Sequence, residues 1–315
     1  MFLKNLWKIW QSPVPFHQGY LPKADGHEVW YAEYGNPQGI PILTTHGGPG
    51  GYCRPERAKL FDLSKYRIIM FDQRGCGNSK PFGELKHNTT NDLLFDMERL
   101  LNHLKIDGKI ILHGGSWAST LMLLFAEHHP SKVRKLLLSQ IFLADEQSEK
   151  WEQEQCGLFY PDMLAQLKAP LKDWQTIPEY YYKQLTSDNI MQQKKALETY
   201  GCFERVLGNL NPHWRHIDDV DNKDLGYTRI YAQYALAHYY IKNNEIMRQL
   251  KKIKHIPTLI VHNRLDMLCP LQGAYELSQK LEKCKLVISP EKGHVGKVLH
   301  KTIRREISGF LKYDN

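Results

Sequence analysis

The sequence predicts an α/β protein: a mostly parallel sheet flanked by helices, with an inserted helical cap domain. Three observations predict it. Short runs of β-formers alternate with segments whose apolar residues recur at helical spacing, over residues 27–139 and again over 256–311. Strand, helix, strand repeats of this kind imply parallel pairing through right-handed crossovers. Between them, from about 143 to 250, no strand pattern occurs, and Gln, Lys, Glu and Tyr dominate. The 315 residues allow two domains or one large unit at roughly 150 residues per domain.

The elements follow in order. His27–Tyr34 is rich in β-formers and lies between Asp25-Gly26 and Gly35-Asn36-Pro37, so it reads as a strand. Ile40–Thr45 is a short apolar run ending in a glycine-rich loop, and Tyr66–Phe71 is another ending at Asp72. Apolar residues at 93, 94, 97, 100, 101 and 104 mark one face of a helix over Asn91–Leu104. Lys109–His113 reads as a buried strand. Trp117–His129 reads as a helix stopped by Pro130, and Val133–Ser139 as a further strand. Prolines 161, 170, 178 and 212 break the helical region. A strand at Ile256–His262, a helix at Gln272–Glu282, a strand at Lys285–Ser289 and a helix from about Gly296 to Leu311 complete the chain. The expected division is a core in two parts, residues 1–142 and 251–315, around a cap at 143–250. Insertions at strand ends usually shape a binding site.

Composition excludes several function classes. Hydrophobic residues make up 42% and charged residues 24%, so the chain can bury a substantial core and is not intrinsically disordered. No apolar run approaches the roughly 20 residues of a membrane span, so stable membrane insertion is not expected. Lys and Arg number 42 against 34 Asp and Glu, a net +8, which raises nucleic acid as a partner. The charge is scattered, however. The longest cluster, Lys251-Lys252-Ile253-Lys254, falls short of a nucleic-acid patch, so no nucleic acid is expected. Met1–Trp10 is interrupted by lysines and makes a poor signal peptide, and a short helix packed on the core is expected there. Six cysteines at 53, 76, 156, 202, 269 and 284 form no C-x-x-C pair, which suits reduced thiols in the cytoplasm.

The most informative segment is Lys109–Ser119, where His113-Gly114-Gly115-Ser116-Trp117-Ala118 joins a strand to a helix with a serine at the apex. This is the nucleophile elbow of the α/β-hydrolase fold, written G-x-S-x-G, with Ala118 in place of the last glycine. A serine hydroxyl is a weak nucleophile that needs a base held by a carboxylate. In this fold the chain order is Ser, then Asp or Glu, then His. Asn263-Arg264-Leu265-Asp266 follows one late strand and Pro290-Glu291-Lys292-Gly293-His294 follows the next. Asp266 would fix the imidazole tautomer, and His294 would take the proton from Ser116. His113, His128 and His262 read as structural or superficial. The loop His46-Gly47-Gly48-Pro49-Gly50 lacks the Lys-Ser/Thr of a phosphate-binding loop and reads as an oxyanion hole, together with the N–H of Trp117.

Several motifs resemble the proline iminopeptidases (prolyl aminopeptidases). They are His46-Gly47-Gly48-Pro49-Gly50, the run Phe71–Ser79, Asn88-Thr89-Thr90, Gly114-Gly115-Ser116-Trp117, Arg264-Leu265-Asp266-Met267 and Gly293-His294. The likeness runs from about residue 13 to 312 and thins between 145 and 250. It implies catalytic roles for Ser116, Asp266 and His294, and oxyanion donors at the N–H groups of Gly48 and Trp117. It implies release of N-terminal proline from small peptides with a free N-terminus, with no metal and no cofactor.

The resemblance also implies cap glutamates that hold the free amine. Phe203-Glu204 matches one, which makes Glu204 the expected substrate-binding residue, with Glu198 as its rival. The second should precede Asn-His-Tyr. Here the stretch is Ala235-Leu236-Ala237-His238-Tyr239, so Leu236 stands where a carboxylate is expected. Ala118 is the other departure, and its methyl is expected to tighten the acyl pocket. Two alternatives stay open: a general esterase or amidase with little proline preference, and a non-catalytic binding protein of the same fold.

Overall fold

A computed structural model describes residues 12–210 and 217–312. The helix expected at Met1–Trp10 and the break at Pro212 lie outside these residues. Eight strands form one sheet: β1 (His17–Tyr20), β2 (Trp30–Gly35), β3 (Ile40–Thr45), β4 (Tyr66–Phe71), β5 (Ile110–Ser116), β6 (Val133–Ile141), β7 (Thr258–Leu265) and β8 (Cys284–Lys292). Their order is β1-β2-β4-β3-β5-β6-β7-β8. β1 and β2 pair antiparallel, as do β2 and β4, and every later pair is parallel.

Strands β3 to β7 are largely buried on both faces, β8 only in part, and their side chains alternate between two cores. Ile42, Ile68, Met70, Ile111, Leu137, Leu259 and Val261 face one core. Leu43, Ile69, Phe71, Leu112, Leu136, Leu138 and Ile260 face the other. This period of two is what a strand imposes, and helices on both sides supply the apolar partners. Helix α1 (Thr90–His103) starts at a capping box in which the Thr89 hydroxyl and Asp92 carboxylate exchange backbone partners. Helix α2 (Trp117–His128) has only its last residue exposed, since it runs under the centre of the sheet. Helices α10 (Leu271–Lys280) and α11 (Lys297–Phe310) cover opposite faces near the C-terminus.

Between β6 and β7 the described chain is helical: α3 (Glu146–Gln153), α4 (Pro161–Lys168), α5 (Ile177–Leu185), α6 (Ile190–Ala196), α7 (Cys202–Asn209), α8 (Asn222–Leu236) and α9 (Glu245–Gln249). Helices α3 to α8 pack on a third apolar cluster, including Met163, Leu167, Tyr181, Leu197, Phe203 and Ala232, while Ile246 of α9 joins the core that holds Leu43 and Ile260. Pro161 and Pro178 stand in the first turns of α4 and α5, where the missing N–H costs nothing, so each break is also a start. No helix among the described residues is long and apolar enough to cross a membrane.

The sequence reading misses β1. Its four residues, His17-Gln18-Gly19-Tyr20, show no apolar alternation because they form a largely exposed edge. Elsewhere the elements agree in type and differ at their ends. β5 runs through to Ser116 and β6 to Ile141, because pairing continues past the apolar residues.

The order β4-β3-β5 positions the site. The chain leaves β3 toward one edge and returns across it to β5. The loops after β3 and β5 therefore open a crevice at the carboxyl ends of adjacent strands, where open α/β sheets bind ligands.

Candidate active site

Ser116 ends β5 and caps α2 with φ 58° and ψ −135°, a left-handed backbone that a non-glycine residue rarely adopts. Such strain persists only where the surroundings enforce it. Here they do so by close approach. A Cβ on Gly115 would lie 2.6 Å from Ser139 Oγ, and one on Gly114 would lie 2.4 Å from the Ala118 carbonyl. The Ser119 hydroxyl donates to the Ser116 carbonyl at 2.7 Å and ties the turn to the helix. Ala118 has no exposed surface.

The loop after β3 lies against the serine. Gly48 has φ 118°, which turns the chain back over the elbow. His46 is buried beneath this loop. Its Nε2 accepts from the Gln73 N–H at 3.0 Å, so Nδ1 carries the proton and donates to the Gly47 carbonyl at 2.8 Å. Burial holds the ring's pKa below the ordinary histidine value. The Gln73 amide donates to the His46 carbonyl at 2.8 Å, and its oxygen accepts from Trp117 Nε1 at 3.0 Å. Gln73 thus joins the glycine loop to the residue after Ser116.

The remainder of the Phe71–Ser79 motif is scaffolding. Asp72 accepts from the N–H groups of Cys53 and Asn78, and buried Arg74 pairs with Asp96 at 2.6 Å.

His294 and Asp266 come from the loops after β8 and β7. His294 Nδ1 and Asp266 Oδ2 are 2.8 Å apart, and both residues are buried. The other carboxylate oxygen accepts from the N–H groups of Leu268 and Cys269 at 3.0 and 2.9 Å. Burial disfavours charge on both partners, but their mutual attraction and hydrogen bond outweigh it. His294 is held above the ordinary histidine pKa, with Glu204 adding to the effect, and Asp266 is held below the ordinary carboxylate value. Two further contacts fix the His294 backbone: its N–H donates to the Gly208 carbonyl, and its carbonyl accepts from Gln140 Nε2, both at 2.7 Å. Among the described residues no hydrogen bond joins Ser116 to His294. Catalytic hydrogen bonds are often long before substrate is bound.

The other histidines are accounted for. His113 pairs with the Thr44 hydroxyl inside the sheet at 2.8 Å, and burial pushes its pKa down to about 3. His262 takes the Ile141 N–H on Nδ1 and reaches the Cys269 carbonyl with Nε2. His128 is exposed on α2.

Cys269 is buried, with Ser116 as its polar neighbour, and burial raises its pKa well above the usual thiol value. A mercurial that reaches this thiol is expected to block turnover, and Cys269→Ser is expected to resist it. Equal inhibition of both proteins would place the sensitive thiol elsewhere.

Glu204, on α7, receives the Tyr227 hydroxyl on Oε1 at 2.5 Å. Burial raises its pKa. Gly208, one turn further along α7, makes the backbone contact to His294, and the Glu204 carboxylate is close enough to raise the His294 pKa. Glu198 instead accepts from the Ile217 N–H at 3.1 Å. Leu236, at the end of α8, is partly exposed.

The arrangement brings Ser116, Trp117, Gly48, Asp266, His294 and Glu204 to the carboxyl ends of the strands, where Cys269 touches Ser116 and feels both Asp266 and Glu204. Sequence reasoning misses Gln73 and Gln140, which hold the glycine loop and His294, and the contact of Glu152 on α3 with the Tyr231 hydroxyl. Gln73 lies within a quoted motif, so its position was a signal. Gln140 and Glu152 carry no motif.

The α/beta hydrolase fold family model matches residues 40–301. The chain is 35% identical to the proline iminopeptidase of Xanthomonas citri, over 91% of this chain and 93% of that one. It is 34% identical to the proline iminopeptidase of Neisseria gonorrhoeae, over 88% and 90%. It is 33% identical to that of Arabidopsis thaliana, over 90% of this chain and 76% of the relative. Among solved structures, an esterase from Rhodococcus sp. ECU1013 superposes with a TM-score of 0.61 at 16% identity, covering 94% of this chain and 98% of the esterase. An alpha/beta hydrolase enzyme from a Medee basin deep-sea metagenome library superposes with a TM-score of 0.60 at 19% identity, covering 93% and 97%. These two likenesses concern the fold alone.

Proposed function

Because the chain belongs to the proline iminopeptidase family of the α/β-hydrolase fold, we propose that it is a serine aminopeptidase releasing N-terminal proline from small peptides. The observation that carries this reading is the His294–Asp266 pair beside the strained Ser116 elbow. Ser116 Oγ attacks the carbonyl of the first residue and His294 Nε2 takes its proton. The negative oxygen that forms is held by the N–H groups of Gly48 and Trp117. His294 then returns the proton to the departing amine, and the C–N bond breaks. Water, giving a proton to His294, attacks the acyl carbonyl; the C–O bond to Ser116 breaks, His294 returns the proton to Ser116 Oγ, and proline leaves. Asp266 keeps the imidazole in the required tautomer throughout. Glu204 faces the substrate amine from above His294.

On this reading residues 143–250 form a cap over the crevice, set between core segments 1–142 and 251–315. Cys53, Cys76, Cys156, Cys269 and Cys284 form no disulfide, which favours a reducing, cytoplasmic setting.

The wild-type protein is expected to hydrolyse a proline arylamide faster than an alanine arylamide by about tenfold or more in kcat/KM. Turnover of a p-nitrophenyl ester without proline release would leave a general esterase, the reading that exposed Leu236 favours. No turnover of any of them would leave a binding protein.

A further inference from the structure

Helix α3 is two turns long, yet it is firmly placed. The Asp145 carboxylate caps its start by accepting from the Ser148 N–H at 2.9 Å. Trp151 Nε1 donates to the Met267 carbonyl at 2.8 Å and ties the helix to the loop that carries Asp266. The next residue, Glu152, receives the Tyr231 hydroxyl on Oε1. Tyr231 stands one turn after Tyr227 on α8, and their rings lie parallel at 5° with centroids 6.4 Å apart. Tyr227 in turn donates to Glu204. Three helices therefore present two matching Tyr–Glu pairs side by side. The charges of Glu152 and Glu204 both reach Cys269, the thiol beside Ser116.

Each carboxylate receives one neutral hydroxyl, and among the described residues neither forms an ion pair. Burial, against the pull of the Tyr231 hydroxyl and with Glu204 nearby, pushes Glu152 up to about 7. Two partly buried carboxylates without a cation are costly, and each keeps free lone pairs. The neighbouring Glu149 is occupied instead by His238. Phe203, Ala235 and Tyr239 line a small cavity with Glu152. Tyr239 packs on Trp117 with ring centroids 5.7 Å apart, which links that cavity to the elbow.

We propose that Glu152 is a specificity-determining residue: with Glu204 it holds the protonated amine of the substrate's first residue, doing from α3 what Leu236 cannot do from α8. The inference rests on the aminopeptidase reading above. A protonated prolyl nitrogen has two N–H donors, one for each carboxylate. Its ring methylenes match the apolar wall of Phe203, Ala235 and Tyr239.

The test uses the full-length protein with two substrates, a proline arylamide and p-nitrophenyl acetate, and with L-prolinamide as a competitor. Glu152→Gln is expected to raise KM for the arylamide about 10- to 100-fold, since a charge-assisted contact is lost, with a much smaller change in kcat. Turnover of p-nitrophenyl acetate, which has no amine, should stay within about twofold. Glu152→Asp should recover part of the loss. Prolinamide should inhibit ester turnover by wild type and far less by Glu152→Gln, while N-acetylprolinamide inhibits neither. Equal losses on both substrates, or an unchanged arylamide KM, would overturn the role. If wild type cleaves the ester and not the arylamide, the aminopeptidase reading falls. Competition by prolinamide then decides Glu152 alone: loss of inhibition in Glu152→Gln supports its role, and unchanged inhibition removes it.

Discussion

Ser116→Ala is expected to lower kcat by roughly 10⁴- to 10⁶-fold on arylamide and ester alike, with thermal stability unchanged. Only the hydroxyl is lost, and its side-chain contact with the Cys269 thiol does not hold the turn. The turn is held instead by the Ser119 hydroxyl and by glycines 114 and 115, which sit where any Cβ would clash. Binding of L-prolinamide should survive, because Glu152 and Glu204 are untouched. Circular dichroism and thermal melting check the fold, and single-turnover kinetics check the chemistry. Residual turnover above about a tenth of wild type would remove Ser116 as the nucleophile.

Asp266→Asn is expected to cost about 10⁴-fold in kcat near neutral pH, because the amide stabilises the wrong imidazole tautomer and no imidazolium. It should also move the pH profile. In the wild type, the Asp266 carboxylate overcomes burial and keeps the His294 pKa above its ordinary 6.5. A general base works only when neutral, so wild-type kcat/KM should fall as pH drops through that raised value. Without the carboxylate, burial dominates and favours neutral imidazole. The small remaining activity should therefore persist to lower pH than in wild type. An acid limb that stays in place in Asp266→Asn would show that Asp266 does not set the His294 pKa.

Much of this site was legible in the sequence, because its parts are local. Ser116 stands between a strand and a helix, each with its own period, and the turn glycines are adjacent in the chain. His46–Gly50, Asp266 and His294 follow strands that their apolar runs reveal. What these residues touch was less legible. His46 reads as one end of a glycine loop, but its ring orders that loop through Gln73, 27 residues away. Three consecutive residues, His238, Tyr239 and Tyr240, adopt left-handed backbone, and nothing in their types announces it. β1 went unseen because an exposed edge needs no apolar alternation.

The chain has 315 residues and a net charge of +8, and neither number identifies a substrate. By itself the sequence determined the alternating core, the elbow and the chain order of serine, acid and base. Strand period, helix period and turn chemistry are properties of neighbouring residues, and they survive in any reading of the chain. Only the tertiary structure decided which carboxylates stand together: Glu204 and Glu152 each receive a tyrosine hydroxyl of α8. Glu152 and Tyr231 lie 79 positions apart in helices without a shared motif. They meet because α3 is anchored to the Asp266 loop and α8 packs beside α7. A contact made by helix packing leaves no periodic trace. A carboxylate missing at Leu236 therefore read as a loss, while the fold sets Glu152 of α3 beside α8 through Tyr231.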